Sequence, residues 1–316
     1  MSSPPQRIAS LLASSTELLY ALGLGERVVA ISHECDFPPQ AMQKPRVTRA
    51  RITNELSSRA IDDQVRETFS AGGSLYEIDS ELLTSLQPDL IVTQAQCDVC
   101  AVRYADVIDL VDSQPSLRGT PVVALNPSSL DEIFGDIRQV AAAAGVRARG
   151  DDLIDRLESR VRRIREKTTD IPSADRPRVA CIEWLEPMMI AANWIPELVK
   201  LAGGDYRLAR PGVHSVYGRW EDVIAYDPQV LAVMPCGFDL ARTLVEAPAL
   251  RQLPGWEQLS AVRDEHVHLL DGNAYFNRSG PRMVESLEIL AHLIQPASFD
   301  RPKLAEPWDR VCRLWK

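Results

Sequence analysis

Residues 151–167 read Asp-Asp-Leu-Ile-Asp-Arg-Leu-Glu-Ser-Arg-Val-Arg-Arg-Ile-Arg-Glu-Lys, and this stretch decides how the rest of the chain is organised. Leu153, Leu157, Val161 and Ile164 recur at helical spacing, and charged residues fill most other positions. Acidic and basic side chains four residues apart add support to such a helix. The pattern predicts one long, exposed helix, which we interpret as a rigid connector between two halves of the chain.

Short apolar segments alternate with helical patterns on both sides of this helix. Strands are predicted before it at 7–12, 28–32, 89–94 and 121–125, and after it at 178–182, 228–234 and 266–270. Repeated strand–helix units indicate parallel sheets covered by helices on both faces. We therefore predict an α/β fold with two doubly wound lobes joined by a single long helix. The predicted lobes are 1–146 and 171–316, with the connecting helix at 147–170.

The composition limits the classes of partner. The 316 residues carry a formal net charge of −9, which disfavours nucleic acid because phosphate binding needs clustered Lys and Arg. No apolar run reaches the roughly 18 residues that span a bilayer, so no membrane insertion is predicted. No export signal precedes the first predicted strand near Ile8, which predicts a cytoplasmic location. Residues 49–76 have weak periodicity and are interpreted as an inserted loop and helix.

Four of the six cysteines follow predicted strands: Cys35, Cys97, Cys100 and Cys236. Ligands of open α/β sheets bind outside the carboxyl ends of the strands, so these thiols are predicted to face one cleft. Four thiolates suit zinc or an iron–sulfur cluster, and we predict such a metal centre as one cofactor. Two other interpretations stay open. The thiols can be small buried apolar groups, or they can contact the metal of a bound corrinoid or chelate directly.

Polar and aromatic residues in similar positions are candidates for ligand binding. They are Ser14, Ser15, Asp36, Glu183, Trp184, Asn193, Trp194, Tyr275, Asn277 and Arg278. Indole faces in a cleft bind flat or apolar ligands, and a guanidinium can neutralise an anionic one. The serines open a helix, where they can bind an anion or cap the helix. The aromatic residues and the asparagine-containing loop can equally serve packing and turn formation.

The order of several motifs resembles that of a known family. The motifs are Ser-Ser-Thr-Glu (14–17), Ser-His-Glu-Cys-Asp-Phe-Pro-Pro-Gln-Ala (32–41), Leu-Gln-Pro-Asp-Leu-Ile-Val (86–92), Trp-Glu-Asp-Val-Ile-Ala-Tyr-Asp-Pro (220–228) and Asn-Ala-Tyr-Phe-Asn-Arg-Ser-Gly-Pro-Arg (273–282). This order is similar to that of class III substrate-binding proteins of ABC importers for iron chelates and vitamin B12. The cobalamin-binding members are the most similar.

The resemblance implies capture and delivery of a ligand rather than turnover, so the chain is not expected to be an enzyme. It implies cobalamin or another metal-containing ligand in the interlobe cleft, with an ABC permease as partner. It places Ser14, Ser15, Asp36, Trp184, Trp194 and Tyr275 around that cleft.

The alternative function is a cytoplasmic enzyme on the same scaffold that depends on thiols or an iron–sulfur cluster. Cysteine with His33 and Glu183 could support such chemistry. The chain has neither G-x-G-x-x-G nor G-x-x-x-x-G-K, which would indicate nucleotide binding. We therefore rank binding above turnover.

Overall fold

The computed structural model describes residues 3–53, 55–99, 101–304 and 309–311. The chain divides into two compact units. The first unit comprises Met1–Glu55, Asp63–Pro127 and Asp131–Leu157, and the second comprises Leu56–Asp62, Ser128–Leu130 and Glu158–Lys316. Each unit contains an α/β sheet, so the predicted fold class is confirmed.

The first half of the chain forms six strands and six helices within the described residues. The strands are β1 (Ile8–Ser10), β2 (Val28–Ile31), β3 (Thr48–Ala50), β4 (Tyr76–Ile78), β5 (Leu90–Gln94) and β6 (Val122–Leu125). The helices are α1 (Ala13–Ala21), α2 (Ser58–Ser70), α3 (Ser80–Ser85), α4 (Tyr104–Ser113), α5 (Leu130–Ala143) and α6 (Arg147–Thr168).

The sheet of the first unit has the strand order β2-β1-β5-β6, and every pairing is parallel. Its core includes Ala9, Ala30 and Ile91 from three of these strands, all fully buried. Burial on both faces explains why these strands read as continuous apolar runs rather than as alternating patterns. The carboxyl ends of the parallel strands bring the loops after β1, β2 and β5 to one edge of the sheet.

The segment 49–76, interpreted as an inserted loop and helix, does contain a helix, α2. It also overlaps an antiparallel pair that the sequence analysis missed, in which Thr48 pairs with Ile78 and Ala50 with Tyr76. Each strand of this pair has only three residues, too few to show a repeat of two in the sequence.

Helix α6 is the long helix expected from its apolar spacing. It runs from Arg147 to Thr168 and includes Gly150, which lies just ahead of the periodic stretch 151–167. A β-carbon on Gly150 would lie 2.6 Å from the β-carbon of Ala141 on α5. The glycine therefore lets α5 and α6 pack closely, although glycine is a poor residue for a helix interior.

The second half of the chain forms six further strands and five helices within the described residues. The strands are β7 (Val179–Trp184), β8 (Met189–Ile190), β9 (Val216–Tyr217), β10 (Val230–Val233), β11 (Val267–Leu270) and β12 (Asp309–Val311). The helices are α7 (Ile195–Leu201), α8 (Trp220–Tyr226), α9 (Leu240–Glu246), α10 (Ser260–Arg263) and α11 (Met283–Ile294).

The sheet of the second unit has the order β12-β11-β10-β7-β8-β9. Its three central strands are parallel, whereas β12, β8 and β9 pair antiparallel. The sheet is therefore mixed rather than purely parallel. Strands β8 and β9 have two residues each, so no sequence pattern could have indicated them. Among the described residues, no helix is both long and apolar enough to cross a membrane.

Candidate functional site

An aromatic pair lies at the carboxyl ends of two neighbouring parallel strands of the second unit. Trp184 is the last residue of β7, and Phe238 follows β10. Their ring centroids are 5.1 Å apart with the planes inclined by 53°. The indole Nε1 of Trp184 is buried and has no hydrogen-bond partner among the described residues. Phe238 is only 1% exposed, so the accessible aromatic surface is that of Trp184, which is partly exposed and carries the unused hydrogen-bond donor.

Glu183, next to Trp184 on β7, has a structural partner. Its Oε2 accepts a hydrogen bond from Ser215 Oγ at 2.7 Å, and Ser215 Oγ accepts one from the Ala192 N–H. The Glu183 carbonyl also accepts from the Cys236 N–H at 2.9 Å. These bonds tie the ends of β7 and β10 together and orient the Trp184 backbone.

Asn193 and Trp194 lie at the start of α7. Asn193 adopts a left-handed conformation with φ of 49°, which asparagine tolerates better than most residues. The Trp194 indole is buried and donates from Nε1 to the Phe276 carbonyl at 3.0 Å. The Trp194 indole N–H is therefore already bonded to the backbone, unlike that of Trp184, and is not available to a ligand.

The loop after β11 begins with a π-helical turn, Gly272–Phe276. A β-carbon on Gly272 would lie 2.1 Å from the Pro235 carbonyl oxygen, so only glycine permits this approach to the end of β10. Asn277 Nδ2 donates to the Met234 carbonyl at 3.1 Å, which also joins this loop to the end of β10. The loop is therefore held against the end of β10.

Two further residues of this loop were predicted to bind ligand. Tyr275 is fully buried, and the Arg282 guanidinium carbon lies 4.5 Å from its ring centroid. Arg278 is 7% exposed, and its Nη2 donates to Asn273 Oδ1 at 3.0 Å. A guanidinium this well shielded from solvent interacts strongly with any anionic group that reaches it. Tyr275 has no surface to offer a ligand in this structure.

Buried hydroxyls connect β1, α1 and the loop after β2 in the first unit. Ser10 Oγ and Ser15 Oγ are 2.6 Å apart, Thr16 Oγ1 donates to Ser10 Oγ at 2.7 Å, and Thr16 Oγ1 lies 3.0 Å from Cys35 Sγ. No side chain caps the N-terminus of α1, so the capping interpretation of the serines is not supported. Ser14 Oγ is buried and has no partner among the described residues, which leaves it available at the first turn of the helix.

Asp36 and His33 lie in the loop after β2. Asp36 is exposed, as a residue that meets a ligand must be. His33 Nδ1 lies 2.7 Å from Thr48 Oγ1. Burial, and then the nearby Arg46 charge, lower the pKa of His33 to about 4, so its imidazole is neutral at pH 7.

The predicted four-cysteine centre has no support in this structure. Cys35 is fully buried, and Cys236 belongs to the second unit. Cys97 is partly exposed, with its N–H donating to Gln94 Oε1 at 2.7 Å, and Cys100 lies outside the described residues. Within the described residues, no three His, Cys, Asp or Glu side chains converge on a point where a metal could bind.

The sequence analysis missed two side chains of this region, Phe238 and Arg242. Arg242 lies on the first turn of α9, and its guanidinium carbon is 4.7 Å from the Phe238 ring centroid. Phe238 comes two residues after Cys236 and follows the same strand, so its position after β10 was the available signal. Arg242 gave none, because an arginine on a short helix is usually a solvated side chain.

Comparison with known proteins decides the family. The family model described as "Periplasmic binding protein" matches residues 8–274, most of the chain. The chain belongs to this family. This periplasmic binding protein is 24% identical over 299 residues to an ABC transporter substrate-binding lipoprotein, YvrC, of Bacillus subtilis, with 93% of this chain and 82% of the relative covered.

Solved structures share the fold of this periplasmic binding protein. The periplasmic vitamin B12-binding protein BtuF of Vibrio cholerae superposes with a TM-score of 0.67 at 23% identity, covering 93% of this chain and 98% of that one. The periplasmic heme-binding protein RhuT of Roseiflexus sp. RS-1 gives 0.68 at 24% identity, with coverage of 93% and 99%.

The family corrects one prediction. The cytoplasmic location expected from the start of the sequence is wrong, since the family is that of periplasmic binding proteins and its relatives here carry periplasmic or lipoprotein names. The alternative, a cytoplasmic enzyme that depends on thiols or an iron–sulfur cluster, has no support in these comparisons.

Proposed function

We propose that this periplasmic binding protein captures cobalamin or a closely related flat metal chelate outside the cytoplasm and delivers it to an ABC permease. The observation that carries the proposal is the partly exposed Trp184, which packs on the buried Phe238 ring and has an unused indole N–H at the carboxyl end of β7. Ligands of open α/β sheets bind at this end of the strands.

The chemistry of the pair suits a large macrocycle with polar substituents. An aromatic face contributes apolar contact area to a flat ring system, and the indole N–H can donate to an amide or carboxylate oxygen at its edge. An unsatisfied buried donor costs about 1–3 kcal/mol, so an acceptor oxygen from the ligand would recover that free energy.

Other residues supply polar recognition in this proposal. Arg278, shielded from solvent in the second unit, would interact with acidic or carbonyl substituents. In the first unit, Ser14 lies in the first turn of α1, just after β1, and exposed Asp36 lies in the loop after β2, at the ligand end of that parallel sheet. These residues combine hydrogen-bond donors with an acceptor, which a substituent-rich chelate requires.

The comparisons support this ligand class without distinguishing its members. One structural relative is named for vitamin B12 and another for heme, at TM-scores of 0.67 and 0.68. Corrins and porphyrins are both flat metal macrocycles with carbonyl-bearing side chains. The likeness of fold is therefore consistent with either chemistry, and the ligand test must include both.

The test is a titration of the purified protein with cyanocobalamin and with haemin, followed by absorbance and calorimetry. We expect saturable binding of one ligand, and Trp184→Ala should weaken it by about tenfold or more, because loss of one aromatic contact and one hydrogen bond costs over 1 kcal/mol. Trp220→Phe is the matched control, since Trp220 packs in the core with Trp256 at a centroid distance of 6.1 Å. Absence of binding to both ligands, or an equal effect of the two variants, would refute the proposal.

A further inference from the structure

Seven residues, Leu56–Asp62, belong to the second unit although the chain on either side of them belongs to the first. We call this segment the strap. Its front end is held by helix α9: Arg242 Nη2 donates to the Leu56 carbonyl, while the Ser58 N–H and Oγ both donate to Glu246 Oε2 at 3.2 and 3.0 Å. The segment is therefore attached to the second unit by both its backbone and a side chain.

The two α9 residues that hold the strap also pair with each other. Arg242 Nη2 lies 2.8 Å from Glu246 Oε1, and their side chains are 21% and 14% exposed. Ser58 is the first residue of α2, so the Glu246 carboxylate lies at the positive end of that helix dipole. Charge-assisted hydrogen bonds shielded from solvent are stronger than exposed ones. We call this Arg242–Glu246 pair the latch.

The rear of the strap has separate attachments. The Tyr217 hydroxyl, on strand β9, donates to Asp62 Oδ1 at 2.7 Å. Arg59 Nη2 lies 2.6 Å from Glu186 Oε1, but both side chains are more than half exposed. An exposed ion pair contributes little, so the latch is expected to dominate the attachment.

The latch packs against the aromatic pair of the proposed site, in which the Phe238 ring is only 1% exposed. The Arg242 guanidinium lies over Phe238 at 4.7 Å, and Phe238 contacts Trp184 at 5.1 Å. Arg242 Nε is buried and has no hydrogen-bond partner in the part of the chain that the structure describes. One side chain thus connects the strap with the aromatic pair.

We propose that the strap is a gate held closed by the latch, and that an acceptor oxygen of the ligand replaces the Leu56 carbonyl on Arg242. This inference rests on the proposed function for its ligand, whereas the latch stands on the contacts of the second unit. Ligand and strap compete for the Arg242 guanidinium. Ligand binding therefore releases the strap from Arg242, and release of the strap in turn eases ligand entry.

The latch is tested in ligand-free protein by limited proteolysis with trypsin, with mass spectrometry of cleavage after Arg59, inside the strap. Glu246→Gln removes the charge that holds Ser58 and Arg242, and we expect cleavage to accelerate about five- to tenfold. Asp222→Asn is the control, since Asp222 pairs with Arg219 at 2.6 Å elsewhere in this unit. Equal cleavage rates in the two variants would overturn the latch.

The gate is tested by stopped-flow association of cyanocobalamin or haemin, whichever the wild-type protein binds. We expect Glu246→Gln to raise the association rate severalfold, and added ligand to accelerate cleavage after Arg59 in the wild type. Unchanged association in a variant with a loosened strap would overturn the gate while leaving the proposed function intact. If the wild type binds neither ligand, the gate and the proposed function both fail, and the cleavage rates still decide the latch.

Discussion

The Cys35 thiol lies 3.0 Å from the Thr16 hydroxyl, in a position with no exposed surface. Thr16 in turn donates to Ser10, so the thiol belongs to a buried polar network that joins β1, α1 and the loop after β2. A small, weakly polar side chain fits such a position, and the structure assigns it a packing role.

This difference in burial predicts how the thiols react. Cys97 and Cys236 are partly exposed, whereas Cys35 and Cys181 are buried, and burial, with a further contribution from Glu183, raises the pKa of the Cys181 thiol. We expect a thiol reagent such as DTNB to modify Cys97 and Cys236 in the native protein, and the other two after unfolding, because the thiolate is the nucleophile. Peptide mapping identifies the sites. Rapid native labelling of Cys35 would contradict its packing role.

His268 should make the protein less stable at acid pH. It is 7% exposed, Nδ1 has no hydrogen-bond partner among the described residues, and burial, then His266 and His292, lower its pKa from 6.5 to about 4. The unfolded chain then binds a proton more readily than the folded one. The contribution of neutral His268 to the free energy of unfolding is therefore complete above pH 6.5. It falls as the pH drops towards 4, by about 3 kcal/mol in total.

The His268 prediction is measured by urea unfolding between pH 4 and 7.5. His268→Leu should flatten the pH dependence relative to the wild type. His33 contributes in the same direction in the wild type and in this variant, because its pKa is also lowered to about 4. Identical slopes for His268→Leu and the wild type would show that His268 is not the group responsible.

Asp136 should have the opposite pH dependence. Its Oδ2 is buried without a hydrogen-bond partner in the described structure, and burial, then Glu132, raise its pKa from 3.8 to about 7. The folded state favours the protonated form, so its stabilising contribution is complete below pH 3.8 and is lost as the pH rises through 7. We expect Asp136→Asn to raise the Tm more at pH 8 than at pH 5. Asp152→Asn, at an exposed position, is the control. An equal rise in Tm at pH 5 and pH 8 for Asp136→Asn would contradict the prediction.

Gly150 should be required for the packing of α5 against α6. An added β-carbon would lie 2.6 Å from that of Ala141, so Gly150→Ala should destabilise the protein by about 1–3 kcal/mol despite its better helix propensity. Gly135, on α5, has no atom within 4 Å of such a β-carbon. Gly135→Ala should therefore stabilise by about 0.5–1 kcal/mol. Chemical denaturation measures both, and Ala141→Gly should partly rescue Gly150→Ala.

Local periodicity was enough to predict the fold class. The apolar spacing within 151–167 predicted α6, and the buried parallel strands of both sheets appeared as short apolar runs. Elements of two or three residues, such as β8 and β9, were missed because a repeat needs more residues to be recognised.

The residues of the candidate site were likewise predicted only in part from the sequence. The sequence indicated Trp184 and Ser14 from their positions next to a predicted strand and at a helix start. It could not show that Trp184 keeps an unused donor while the Trp194 indole is bonded to a carbonyl 82 residues away. Such hydrogen bonds join residues distant in the chain, and side-chain type alone does not indicate them.

The sequence by itself determined the alternation of strands and helices, the long helix and the motif order that resembles the family, because these are properties of neighbouring residues. Only the tertiary structure decided which thiols are buried, which indole donor is unused, and that Leu56–Asp62 belongs to the second unit. The physical reason is that burial and hydrogen bonding depend on contacts between distant segments. The Arg242–Leu56 contact, across 186 residues, is the clearest example.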